Sequence, residues 1–176
     1  MEVLLEATAR ILSKEGKARL STNRIAQLAG VSVGSLYQYF PNKEALVAEL
    51  RRRYEEAFLN RLMAAAAGLG ALPLREAIHQ FTRFLVDIHA EDPGLHNALA
   101  EEIPDWELPL IQRMALTYLE AHRDEVRPEN LDLASRILLQ AGEALVHETA
   151  LRSPELLTNA EFNVEVEELF YRYLRK

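Results

Sequence analysis

The chain has 176 residues, 49% of them hydrophobic, with no cysteine and a net charge of −7. That length holds one medium domain or a small domain beside a larger one, with enough apolar residues for a sizeable core. Disulfides and thiolate metal sites are excluded; no apolar run approaches the ~20 residues that span a bilayer, no secretion signal is expected, and a cytoplasmic protein is the default.

Apolar residues at helical spacing predict nine helices and no strand. The first covers residues 2–15, with Leu4, Ala7, Ile11 and Leu12 inward and Gly16 ending it. Ser21 or Thr22 caps the second, which carries Ile25, Ala26, Leu28 and Ala29 and ends at Gly30, a residue suited to a left-handed C-terminal position. Val31 fills the corner and Ser32 caps the third helix. There Leu36 and Phe40 face inward, Ser35, Tyr37, Gln38 and Tyr39 face outward, and Pro41 stops the helix. The fourth starts near Lys43 and runs to about residue 67 on a stripe of Leu46, Leu50, Tyr54, Phe58 and Leu62. Gly68-Leu69-Gly70 breaks it, and Pro73 opens a fifth helix that reaches residue 90. Asp92-Pro93-Gly94 is a turn, followed by a short sixth helix over 94–102. Ile103-Pro104-Asp105 separates that from a seventh helix, which follows Pro109 and reaches residue 125. The eighth covers 131–152 and, after Ser153-Pro154, the ninth covers 160–175.

Residues 21–43 carry the most information. Two short helices meet at a tight turn, and the second is polar and aromatic where a core helix would be apolar. That is the layout of a helix-turn-helix, whose second helix enters the major groove. The overall charge conceals a division: residues 1–53 carry a net +4 and residues 54–176 a net −11. Phosphate attraction depends on the local patch, so an acidic total does not exclude DNA. Arg51-Arg52-Arg53 fits equally a solvated helix face and a position near the DNA backbone.

The segment resembles the DNA-binding domain of the TetR (tetracycline-repressor-like) family. The matching residues are Ile25-Ala26, Ala29-Gly30-Val31-Ser32, Gly34-Ser35-Leu36-Tyr37, Tyr39-Phe40 and Asn42-Lys43-Glu44-Ala45-Leu46. The resemblance covers about the first 53 residues. It implies an all-α protein with a helix-turn-helix domain over 1–45 and a helical effector-binding and dimerisation domain over 46–176, the fourth helix connecting them. It implies that the positions of Val33, Gly34 and Tyr37 approach bases, with Asn23 reaching one, and that Thr22, Tyr39 and Lys43 touch the backbone, joined by Ser35. Gln38 completes the outward face. Where many relatives carry Lys, Arg or Gln, this chain has Val33, for which a thymine methyl is the natural partner.

The family's C-terminal domain encloses an effector pocket, and its last two helices pair with their copies in a dimer. Trp106, Met114 and His96 are the candidate pocket residues, for a small and mostly apolar effector. Candidate interface residues are Ala134, Ile137, Leu138, Ala141 and Leu145 on the eighth helix, and Phe162, Val166, Leu169, Phe170 and Tyr173 on the ninth. Rival chemistries find little support. Gly30 to Ser35 lacks the strand and Gly-Lys-Ser/Thr ending of a phosphate loop. The five histidines form no tight ligand motif, so no metal or other cofactor is expected. No nucleophile–base set has a local signature, so the chain is not expected to be an enzyme. The reading is a dimeric regulator, released as a repressor from a palindromic operator by a small molecule. The alternative is an all-helical interaction or adaptor protein without specific DNA binding.

Overall fold

The computed structural model describes residues 1–100 and 107–176. Among them are nine α-helices: α1 (Glu2–Glu15), α2 (Thr22–Ala29), α3 (Val33–Tyr39), α4 (Lys43–Ala66), α5 (Leu74–Ala90), α6 (Pro93–Ala100), α7 (Glu107–Ala121), α8 (Leu131–Arg152) and α9 (Ala160–Leu174). Single 3-10 turns lie at Lys17–Arg19, Leu69–Ala71 and Pro154–Thr158. No helix of the described residues is long and apolar enough to cross a membrane.

The described residues form two compact units, one of residues 1–59 with 92–100 and one of 60–91 with 107–176. The first therefore extends past residue 45, and it takes in α6, which the sequence had grouped with the helices of the C-terminal domain. Gly94 explains why: a Cβ there would overlap the Ser13 carbonyl oxygen, so only glycine lets α6 lie this close to α1. Ser13 Oγ donates to Asp92 Oδ1 at 2.8 Å and fastens the entry to α6. The core of this unit gathers Leu4, Ile11, Ile25, Leu36, Leu46 and Leu99, all essentially out of water.

In the second unit α5, α7, α8 and α9 pack around Ile78, Leu119, Ala134, Leu138, Val166 and Phe170. Asn130 caps α8 by accepting from Leu133 N at 3.0 Å, and Asn159 caps α9 by accepting from Glu161 N at 2.7 Å. The helix expected to reach residue 125 ends at Ala121 instead. Val126 is wholly buried and forms an isolated antiparallel bridge with Arg175, so the chain must leave the helix early. Arg127 N donates to Leu174 O at 2.7 Å and Lys176 N to Glu125 O at 3.1 Å, which pins the end of α9 beside the loop after α7.

Candidate nucleic-acid interface and effector cavity

The interface is built on two caps and one left-handed glycine. Ser21 Oγ accepts from Arg24 N at 3.2 Å and starts α2; Thr22, the other candidate cap, becomes its first residue. Gly30 adopts φ 69° and ψ 28°, and the backbone N–H of Val31 then reaches Ala26 O at 3.0 Å, closing α2. Ser32 Oγ accepts from Ser35 N at 3.0 Å and starts α3. With Leu36 completely buried and Phe40 nearly so, the helix can turn only one face outward. That face carries Tyr37, 52% exposed, Gln38, and Tyr39, 59% exposed.

Most of the proposed DNA contacts share this surface. The Thr22 and Tyr37 hydroxyls lie 3.4 Å apart, bringing the start of α2 to the face of α3. Asn23 is exposed beside Thr22. Gly34 is exposed, and a Cβ there would meet nothing nearer than Ser32 Oγ at 3.7 Å. Two placements qualify the expected roles. Val33 is half-buried and packs against the core of the first unit, so only part of its side chain is available to a thymine methyl. Ser35 Oγ sits 2.8 Å from Ser32 Oγ, so its hydroxyl also serves the cap.

Lys43 Nζ donates to Leu20 O at 3.2 Å, which holds the ammonium at the entrance to α2. Asn42 accepts from Ala45 N at 2.8 Å and caps α4, so the backbone behind Lys43 is also fixed. The three arginines at 51–53 face carboxylates of their own unit. Arg51 pairs with Glu55 at 3.4 Å; Arg52 pairs with Glu49 at 2.9 Å and Glu56 at 3.2 Å; Arg53 pairs with Glu49 at 3.0 Å and Glu2 at 2.7 Å. Hydrogen bonds from Arg52 and then Arg53 lower the Glu49 carboxyl to about 2. Of the two readings of this run, the ion-paired helix face is the one these contacts favour.

The second unit encloses an apolar cavity of about 90 Å³. Met114 lines it, beside Phe81, Phe84, Ile111, Tyr118 and Leu139. Its polar atoms are few. Tyr118 donates to Leu72 O at 2.9 Å, and burial, assisted by the nearby Glu125 and Glu76 charges, pushes its phenol up to about 12. Gln80 Oε1 is buried with no hydrogen-bond partner among the described residues. His96 is not among the lining residues: it is buried in the first unit, its Nδ1 2.5 Å from the Tyr54 hydroxyl. Trp106 lies outside the described residues.

The candidate dimer residues fall into three groups. Ala134, Leu138, Val166 and Phe170 are buried in the core of the second unit, while Ile137, Leu145 and Leu169 are 40%, 36% and 53% exposed. Ala141, Phe162 and Tyr173 are half-buried. Two residues that the sequence reading passed over, Leu133 and Val164, are 51% and 59% exposed. The sequence also left the histidines scattered, whereas the fold brings His89 to Glu143 and His147. The available signal was the four-residue spacing of Glu143 and His147, which puts both on one face of α8.

Residues 4–50 match the family described as bacterial regulatory proteins, tetR family, and residues 73–174 match the tetracyclin repressor-like C-terminal domain. The chain belongs to the TetR family. It is a DNA-binding transcription regulator, not an enzyme, and members of this family act as dimers. Over 174 residues it is 24% identical to a nucleoid occlusion factor, SlmA, of Haemophilus influenzae (strain PittGG), covering 99% of this chain and 74% of that one. The TetR fold recurs in a TetR-like transcriptional regulator from Rhodococcus sp. RHA1, with a TM-score of 0.71 at 20% identity over 97% of this chain and 93% of that one. It recurs also in SmeT, the repressor of the Stenotrophomonas maltophilia multidrug efflux pump SmeDEF, with a TM-score of 0.68 at 19% identity over 99% and 90%.

Proposed function

We propose that this TetR-family protein is a repressor that holds a palindromic operator as a homodimer and releases it when a small, mostly apolar molecule enters the cavity of the second unit. The observation that carries the DNA half is the exposed face of α3. Two tyrosines and a glutamine stand in water on a helix whose other side is anchored by a fully buried leucine. A monomeric core has no use for such a face, and base edges do. Val33, Gly34, Tyr37 and Gln38, with Asn23, are assigned to the bases; Thr22, Ser35, Tyr39 and Lys43 to the phosphates.

The effector half is supported by the cavity's lining. The lining is apolar apart from Gln80 and Tyr118, so the best-suited ligand is a mostly apolar molecule. A volume near 90 Å³ suits a compact molecule, and a larger one enters only as the lining moves. SmeT, a repressor, shares this fold, which supports the repressor half of the reading.

The likeness to a nucleoid occlusion factor supports a second reading, in which DNA binding marks the chromosome and no ligand releases it. Selection of binding sites from genomic fragments, followed by sequencing, tests the shared part. Enriched sites with two-fold symmetry are expected, and no enrichment would overturn the palindromic operator. A hydrophobic metabolite pool added to the selected site then separates the two readings: loss of the complex supports the repressor, and an indifferent complex supports the chromosomal marker.

A further inference from the structure

We infer that His89, Glu143 and His147 form a binding site for a divalent transition metal, zinc above all, inside the second unit. The inference goes beyond the proposed operator switch and does not depend on it. One ligand atom from each residue lies within 4.8 Å of the others. His89 comes from α5, and Glu143 and His147 stand one helical turn apart on α8.

The hydrogen bonding of His89 decides which atom is offered. Its Nδ1 lies 2.8 Å from the Leu85 carbonyl oxygen, which can only accept, so Nδ1 carries a proton. This carbonyl–imidazole pairing is the usual orienting contact behind a metal-bound histidine. Its Nε2 then faces Glu143 Oε1 at 3.3 Å. With metal–ligand bonds near 2.0–2.2 Å, two corners of a tetrahedral zinc site are about 3.3 Å apart, which is the separation observed.

Two imidazoles and a carboxylate are a recurring three-ligand zinc set. Imidazole-rich sites also take nickel, cobalt and copper. The His89 side chain is wholly buried and fixed, while that of Glu143 is 37% exposed, so the carboxylate provides the entry path.

The test uses the full chain, stripped with a chelator and titrated with zinc ions in a calorimeter, with cobalt as a spectroscopic probe. One tight zinc per chain is expected, together with a visible cobalt band of tetrahedral type. Glu143→Gln and His147→Ala should each weaken zinc binding by at least ~100-fold, beyond the 10- to 100-fold typical of losing an outer partner. His79→Ala, which removes the exposed His79–Glu167 pair on α5 and α9, should change nothing. Far-UV circular dichroism checks that every variant is folded, and the near-isosteric Glu143→Gln keeps the test valid if His147→Ala is not. No stoichiometric zinc, unchanged affinity in the ligand variants, or loss of zinc with His79→Ala would overturn the inference.

Discussion

A methyl group at position 94 would overlap the Ser13 carbonyl oxygen, a backbone atom that cannot swing away as a side-chain tip can. Gly94→Ala must therefore push α6 off α1, at a cost of about 1–3 kcal/mol by analogy with overpacked cores. Urea denaturation measures it, and wild-type stability would mean that α6 adjusts freely. Gly34 presents the opposite case. Its Cβ direction is open, so Gly34→Glu should leave folding intact by circular dichroism. On the proposed interface it places a carboxylate between α3 and the DNA, and specific binding should disappear in a gel shift. Retained affinity would remove Gly34 from the contact surface.

Helix α4 begins and continues with charges whose roles differ. Lys43 sits in the first turn, where the helix dipole disfavours a cation, and its ammonium is held by the Leu20 carbonyl. Lys43→Ala removes that bond, costing about 1–3 kcal/mol of stability. If Lys43 also meets a phosphate, the variant should bind all sequences more weakly alike, and the salt dependence should flatten by about one counterion. A change in sequence preference would instead make it a base reader. Further along α4, Glu49 ties Arg52 to Arg53, and its carboxyl is lowered from 4.5 to about 2. A depressed folded value contributes stability that is complete above the unfolded value and is lost as pH falls through the folded one. Acid should therefore weaken the wild type between about pH 4.5 and 2, and Glu49→Gln should show a shallower loss across that window in denaturant titrations.

For the protein as a dimer, the exposed Ile137, Leu145 and Leu169 are the residues to test, since Ala134, Leu138, Val166 and Phe170 are committed to the monomer core. Leu169→Glu sets a charge into the proposed apolar seam without disturbing that core. Sedimentation equilibrium should show dimer dissociation raised by at least about tenfold, a change of ~1.4 kcal/mol, with operator affinity falling alongside. An undisturbed dimer would place the interface elsewhere. If an effector lowers operator affinity by some factor, operator DNA must lower effector affinity by the same factor. Parallel ligand titrations with and without operator, followed by the fluorescence of the single tryptophan, Trp106, provide that check. Equal affinities for a ligand known to occupy the cavity would leave a DNA-binding dimer without this switch.

Local chemistry made the helix-turn-helix legible before any coordinates. Ser21, Gly30 and Ser32 act through contacts within a few residues, so a cap and a left-handed glycine can be read from neighbours in the chain. The inward positions of α1, α3 and α4 followed from periodicity for the same reason. What the tertiary structure decided depends on distant partners. Gly94 appeared as turn punctuation until it met Ser13, and Val126 ended α7 early because Arg175 lies beside it. His96 lies against Tyr54, 42 residues earlier in the chain. The apolar residues of α8 and α9 could not be sorted by periodicity into core and outer face, because both helices carry apolar residues around more than one side. The joining of His89 to Glu143 and His147 needs α5 and α8 to pack side by side, and no spacing within one helix specifies a neighbour on another.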